Sequence, residues 1–199
     1  VRATPRRSSS RIMASPSYLG RGNKPGELWL KLELMTPSDA LSPSQAFLES
    51  FRRHGAGIAV VTLLKKDGSP TGFIATSLAS LSANPPVATF NMAQTASSWS
   101  SVAIDTPVLI HLLSTDNLEL AKKMAGESDQ RFDGSHWEKG PGGLPLLTDV
   151  HAWMSATVVA ITEVEFSAMV AARVTGGVLG NPSQPLVYSE RDYRTVASI

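Results

Sequence analysis

The 199-residue chain contains no cysteine. A disulfide framework, a thiolate metal site, an iron–sulfur cluster and a cysteine nucleophile are therefore excluded. Aromatic residues are scarce at 7%, too few for an obvious platform on which single-stranded nucleic acid could stack. No apolar run reaches the roughly 18 residues of a membrane-spanning helix. Neither charge sign dominates: 18 Lys and Arg stand against 17 Asp and Glu, a formal net charge of +1. Hydrophobic residues nonetheless make up 42% of the chain, enough for a core, so a fully disordered chain is excluded. The length corresponds to one domain, or one domain with an appendage.

The charge is unevenly placed. Residues 1–34 hold seven basic and two acidic side chains, leaving a mildly acidic body with 11 basic and 15 acidic ones. Such a body argues against a nucleic-acid surface. Residues 1–40 are read as a basic leader rich in Ser, Pro and Gly, and residues 41–199 as the folded domain. Three readings of the leader stay open: a targeting or nucleic-acid arm, a flexible tail, or sequence upstream of the true start, with Met13 and Met35 as candidate starts. It has no apolar segment of signal-peptide length, so the cytoplasm is the default compartment and no membrane association is expected. Leu28–Leu34 alternates apolar and polar residues, as an edge strand or by chance.

In the body, Ser44 is placed to cap a helix over Gln45–His54, with Phe47, Leu48 and Phe51 at helical spacing. Strands are predicted at Ile58–Leu64 and Thr71–Leu78 around a hairpin turn containing Asp67-Gly68. Ala79–Asn84 reads as a small polar loop, and Pro85-Pro86 forbids a continuing central strand. Further strands are predicted at Val87–Met92 and Val108–Leu113. A helix is predicted over Asp116–Ala125, capped by Asp116 and closed by Gly126. The next roughly 25 residues read as a long loop. Ala152–Ile161, Ser167–Thr175 and Leu186–Tyr188 read as strands, and Gly176–Pro185 as a turn region. Six or seven short strands and two helices without sustained βαβ alternation describe a mainly β fold: a small antiparallel barrel with peripheral helices.

Standard sites are missing. The histidines, His54, His111, His136 and His151, show no metal-ligand spacing, and His111 reads as a packed strand residue. No G-x-S-x-G elbow or phosphate-binding P-loop occurs, and Gly176–Gly180 reads as a turn. The carboxylates form no evident acid/base pair. Two polar stretches remain, Thr76–Pro86 and Gln94–Ser101. Each is either a plain polar turn or a source of N–H and O–H donors for an anionic or heterocyclic ligand.

Four segments carry a resemblance: GIAVVT at Gly57–Thr62, DGSPTGFIATSLASLSANPP at Asp67–Pro86, RFDGSHW at Arg131–Trp137 and PLVYSERDYRTV at Pro185–Val196. In this order and spacing they resemble the short-chain flavin reductases of the FMN-binding split β-barrel superfamily. The resemblance implies an antiparallel, Greek-key-like split barrel that forms a homodimer. It also implies reduction of FMN or FAD by NADH or NADPH, with the reduced flavin passed to a flavin-dependent monooxygenase. By position, Thr76, Ser77, Leu78 and Ala79 match the segment along the isoalloxazine, and Ser80 and Ser82 the approach to the ribityl chain and phosphate. Ser97 and Ser98 match a second phosphate-contacting stretch. Arg131 and Phe132 match a loop closing over the flavin or nicotinamide. Tyr188 and Tyr193 match the C-terminal signature. No catalytic acid or base is obligatory, and no metal is implied.

One departure stands out. Similar reductases carry Gly-Asp-His where this chain has Glu165, Phe166 and Ser167, so Ser167 takes the place of a histidine that lies near flavin and nicotinamide. A downstream family glycine is replaced by Ala172. Hydride transfer between nicotinamide C4 and flavin N5 is cofactor chemistry and needs the two rings held in contact, not that histidine. The replacement keeps open an alternative: a flavin-binding protein of the same fold without reductase activity, acting as an oxidase, carrier or sensor. A structural protein with its groove filled by side chains is the third reading.

Overall fold

The structure is a computed structural model, and residues 41–197 are described. The basic leader and Leu28–Leu34 lie outside those residues. Within the described residues the chain divides into two units between Phe47 and Leu48. Helix α1, Pro43–Arg53, crosses that division. Its cap is Ser42, not Ser44: the Ser42 hydroxyl accepts the Gln45 N–H at 3.3 Å, and Gln45 Oε1 accepts the Ser42 N–H at 3.0 Å. This reciprocal box leaves Pro43 in the first turn, where its missing N–H costs nothing.

Strands β1 (Ala56–Gly57), β2 (Ala59–Leu64), β3 (Pro70–Ala75), β4 (Ala79–Ala83), β5 (Pro86–Ala93) and β6 (Pro107–Leu112) follow. Helix α2 (Leu118–Ala125) precedes β7 (Trp137–Lys139), β8 (Pro145–Leu147), β9 (Ala152–Val164), β10 (Ser167–Leu179), β11 (Leu186–Ser189) and β12 (Asp192–Thr195). The main sheet has the order β3-β2-β6-β9-β10-β5-β4, with every neighbouring pair antiparallel. A smaller sheet, β1-β11-β12, and the β7–β8 hairpin complete the fold.

The main sheet curls. Register shifts at Ala171/Ala172 and Val174/Gly176 bend the long β9–β10 hairpin, as bulges do. The curl brings β3 close to β5, and the rings of Phe73 and Phe90 meet with centroids 5.7 Å apart. The result is an antiparallel split barrel with peripheral helices, the expected fold class. Side chains alternate inward and outward at period two: Ala168, Val170 and Ala172 are buried while Met169 and Arg173 are exposed. The main core gathers Val61, Leu63, Phe90, Ile110, Val158 and Val170. A second core, with Val60, Met124, Leu147 and Leu186, lies on the other face of β2. Strand β2 is thus covered on both sides, which explains its unbroken apolar run.

Several local expectations are corrected. Ala79–Asn84 is not a loop: it contains edge strand β4, and the prolines fall at its hairpin with β5, where a missing N–H is tolerated. Asp116 does not cap α2; Asn117 Oδ1 accepts from the N–H and hydroxyl of Ser114 at 2.9 and 3.1 Å, starting a short 3-10 turn ahead of the helix. Gly126 is extended, with φ −76°, not left-handed. The region after it contains the β7–β8 hairpin. Gly176–Leu179 continues β10 instead of turning, paired with Ala152–Ser155. Strand β12 lies beyond the last predicted strand.

His111 is the packed strand residue expected of it. It is fully buried on β6. The Leu147 N–H donates to its Nε2 at 3.1 Å, so the proton sits on Nδ1, which donates to the Val60 carbonyl at 3.2 Å. The ring therefore stitches β2 and β8 to β6. Burial pushes its pKa down from 6.5 to about 4, the backbone hydrogen bond opposing the shift. Because the folded pKa lies below the unfolded one, this ring's stabilisation is complete above pH 6.5 and is lost as pH falls toward 4. Between pH 7.5 and 5 the unfolding free energy is expected to drop by about 2 kcal/mol on this account. Urea unfolding across that range checks it; a flat profile would show that His111 keeps an ordinary pKa.

Candidate functional site

The chain leaves β3 at Ala75 and crosses toward β4 through Thr76, Ser77 and Leu78. The Ser77 hydroxyl fastens this crossing to β5, accepting the Asn91 N–H at 2.8 Å. Thr76 and Ser77 line a cavity of about 410 Å3. Leu78 belongs elsewhere, lining a separate apolar cavity of about 320 Å3 with Ile58, Leu113 and Leu186. Ala79, Ser80 and Ser82 follow on edge strand β4, Ser82 half-buried and the other two exposed. A register shift between Ser80 and Ser82 leaves Leu81 exposed.

The 410 Å3 cavity brings together three of the expected positions, Thr76, Ser77 and Tyr188. Tyr188 on β11 is directly opposite Tyr193 on β12, their rings edge to face at 5.4 Å. Burial first, and Tyr188 second, raises the Tyr193 pKa. The remaining lining includes Arg52, His54, Ser189 and Arg191, none of which was expected to contact a ligand. The cavity thus has two arginines and a histidine on its walls, and no carboxylate. A larger cavity of about 550 Å3 has the opposite character, with Asp116, Glu138 and Asp149 and no Lys or Arg. The Nδ1 of His151, on that cavity's wall, is buried without a hydrogen-bond partner. By charge alone, the first lining favours an anionic ligand and the second opposes one.

Other expected site residues hold the scaffold. Ser98 is fully buried, so its side chain cannot reach a surface phosphate. Its hydroxyl shares a 2.9 Å hydrogen bond with Thr71 and donates to the Gly72 carbonyl at 3.3 Å. Ser97, beside it, is exposed. Arg131 donates to the Gly126 carbonyl from Nε and Nη2, each at 3.0 Å, and to the Gly72 carbonyl from Nη1 at 2.8 Å. Phe132 packs edge to face on Trp137 at 5.6 Å. A methyl group added at Gly72 would lie 2.8 Å from the Val61 carbonyl oxygen and 3.3 Å from the Phe132 ring, so glycine is what lets Phe132 close over β3. The 131–132 segment is therefore pinned to β3 by backbone acceptors.

Glu165 and Phe166 form the two-residue turn joining β9 to β10, with Glu165 at φ +51°. Phe166 is 78% exposed. Ser167 opens β10 opposite Ala93, and the Phe166 carbonyl accepts the Gln94 N–H at 2.9 Å. The turn is thus tied to the start of the second polar stretch. Ala172 is fully buried in the main core, beside a register shift. Among the described residues no cluster of three or more His, Asp or Glu is placed to hold a metal ion.

The sequence pattern of the flavin reductase-like domain matches residues 51–197. The chain belongs to the flavin reductase-like domain family. An NADH:FMN oxidoreductase from Rhodococcus qingshengii is 37% identical over 149 residues, covering 72% of this chain and 77% of that relative. The reductase component of a flavin-dependent trigonelline monooxygenase from Acinetobacter baylyi is 29% identical over 140 residues, 70% of this chain and 45% of the relative. The crystal structure of a flavin reductase domain protein from Arthrobacter sp. FB24 superposes with a TM-score of 0.75 at 42% identity, covering 78% of this chain and 97% of that one.

For this flavin reductase-like domain, replacing Arg131 by Ala tests the anchoring role. Hydrogen bonds from a charged donor contribute roughly 1.5–3 kcal/mol, so denaturant unfolding of Arg131→Ala is expected to show a loss of about 2 kcal/mol with no ligand present. Unchanged stability of the unliganded protein would return Arg131 to a ligand-binding role.

Proposed function

We propose that the protein is an NAD(P)H-dependent flavin reductase that takes FMN, and FAD as a second flavin, in a groove beginning at the 410 Å3 cavity. The observation that carries this reading is the convergence of Thr76, Ser77 and Tyr188 on a cavity walled by cationic groups and free of carboxylates. That lining fits a planar ring beside a phosphorylated partner: the apolar Leu48 and Phe51 and the Tyr188 ring offer stacking surface for the flavin, and the basic groups favour the anionic nicotinamide nucleotide that must lie against it. Flavin, when bound, would supply the hydride acceptor at N5 and the nicotinamide the donor at C4, so the reaction itself would belong to the cofactors. The chain's part is to hold the two rings in register and to exclude water. Ser77 acts by fixing the crossing segment to Asn91, which presents the backbone of Thr76–Ala79 along the ring. Ser80 and Ser82 on the exposed edge strand, with Ser97, supply hydroxyls toward the ribityl chain and the 5′-phosphate. Ser167, at the turn facing Ala93, borders the ring with a neutral side chain. No proton donor is required at N5 by this arrangement.

The protein further acts as a homodimer and hands reduced flavin to a monooxygenase component. Support for the first comes from exposed apolar side chains on and beside β4 and β10: Leu81, Val164, Phe166 and Met169. Exposed large apolar side chains of this kind are what an interface leaves uncovered in a single protomer. Support for the second is that the Acinetobacter baylyi relative is itself the reductase component of a flavin-dependent monooxygenase. No described helix is long and apolar enough to cross a membrane.

Two measurements test the reading. Purified protein is expected to oxidise NADH or NADPH at a rate that depends on added FMN. Flavin binding without nucleotide oxidation would instead identify a non-reductase flavoprotein, and no flavin binding would remove both. The second places the ring: Ser77→Trp is expected to lower flavin affinity at least tenfold by steric block, while circular dichroism shows the strand content kept. Unchanged affinity would mean that the isoalloxazine lies elsewhere.

A further inference from the structure

The β11–β12 hairpin turns on Glu190 and Arg191, with Ser189 paired to Asp192 on either side. Both turn residues lie in the left-handed region, at φ +54° and +62°. A two-residue turn of this kind is ordinarily built from Asn and Gly, because a side chain there is strained. An arginine is instead held at the second position, and it lines the 410 Å3 cavity. Strain of this kind is a pointer to function when the residue's side chain is what the site needs.

The surroundings leave that guanidinium unneutralised. Arg191 has no ion-pair or hydrogen-bond partner among the described residues. Arg52, on the same cavity, is paired with Glu49 at 3.2 Å, which leaves Arg191 as the unpaired guanidinium there. The Glu190 N–H donates to the Arg52 carbonyl at 2.7 Å. This bond ties the hairpin to the end of α1 and occupies a helix C-terminal carbonyl that would otherwise repel an anion. His54 adds a further polar donor to the same wall. The hydroxyls expected at the flavin 5′-phosphate, those of Ser80, Ser82 and Ser97, are not on this cavity's wall. With the flavin phosphate placed at those hydroxyls, the basic groups of this cavity are left without an assigned anion.

We propose that Arg191, with Arg52 and His54, forms a phosphate subsite for the pyridine dinucleotide, binding its pyrophosphate or its 2′-phosphate. The inference rests on the reductase reading above. A planar guanidinium matches phosphoryl oxygens two at a time, which a lysine cannot do. The subsite is specific to the dinucleotide and separate from the flavin phosphate.

The test compares wild type with Arg191→Gly and Arg191→Lys by equilibrium titration, following tryptophan and flavin fluorescence. The ligands are NADH, NADPH, FMN and riboflavin. Glycine relaxes the turn, so Arg191→Gly is expected to melt at or above the wild-type temperature, which removes misfolding as an explanation. Its Kd for NADH or NADPH is expected to rise at least tenfold, with lysine intermediate, while FMN and riboflavin affinities stay unchanged. The wild-type dinucleotide Kd will weaken with added salt more steeply than that of Arg191→Gly. A larger effect on NADPH than on NADH assigns the 2′-phosphate, and an equal one the pyrophosphate. Loss of FMN affinity with dinucleotide binding intact would overturn the proposal by moving the cation to the flavin phosphate. Unchanged dinucleotide affinity in Arg191→Gly would overturn the subsite alone. A wild-type protein that binds FMN but neither dinucleotide would overturn both the subsite and the reductase reading.

Discussion

The closing contact between β3 and β5 governs the rest of this structure. Five inter-strand steps separate the two strands in the sheet order. In a flat sheet they would lie roughly 24 Å apart. The bulges in β9–β10 and the twist natural to strands curl the sheet until the Phe73 and Phe90 rings meet at 5.7 Å. Ser77 then bonds across the same seam to Asn91. The crossing segment Thr76–Leu78 is thereby forced over the seam, with Thr76 and Ser77 opening on one cavity and Leu78 on another. The candidate site is a by-product of how the barrel closes.

Charge sorts the cavities that this closure leaves. The acidic cavity of about 550 Å3 is the larger, yet its three carboxylates oppose a nucleotide. The cavity of about 410 Å3 is smaller and has the electrostatics such a ligand needs. Its arginines come from the end of α1 and from the β11–β12 turn, held together by the Glu190 to Arg52 bond. Electrostatic fit therefore outweighs volume in choosing between them.

The polar side chains of the family-like motifs divide into two groups. Thr76, Ser77 and Tyr188 reach the cavity. Ser98 and Arg131 spend their donors on backbone carbonyls, both meeting at Gly72. That carbonyl joins β3 to the turn before Trp99 and to the loop after α2. A motif residue can thus be essential to the site's framework without touching a ligand. Its spacing along the chain looks the same in either case, because the deciding partner lies 26 residues away for Ser98 and 59 for Arg131.

Much of the fold was legible in the sequence. The β-branched run at Ile58–Leu64 and the Asp67-Gly68 turn located β2 and β3, and the central strands β5, β6, β9 and β10 were placed within a few residues. Those signals are local, set by backbone sterics and by which face meets the core. The caps were misjudged because Ser42 and Ser44, or Ser114 and Asp116, are all competent capping residues until hydrogen-bond geometry chooses. Strand β4 was missed because a polar edge strand has one covered side and little apolar signal. The four motifs in order carried the family. What only the tertiary structure decided is which motif residues share a cavity, and that Arg52, His54 and Arg191 join them. Arg52 and His54 are neighbours at the end of α1 but Arg191 lies far down the chain, and only the docking of the β11–β12 hairpin on α1 brings all three to one cavity.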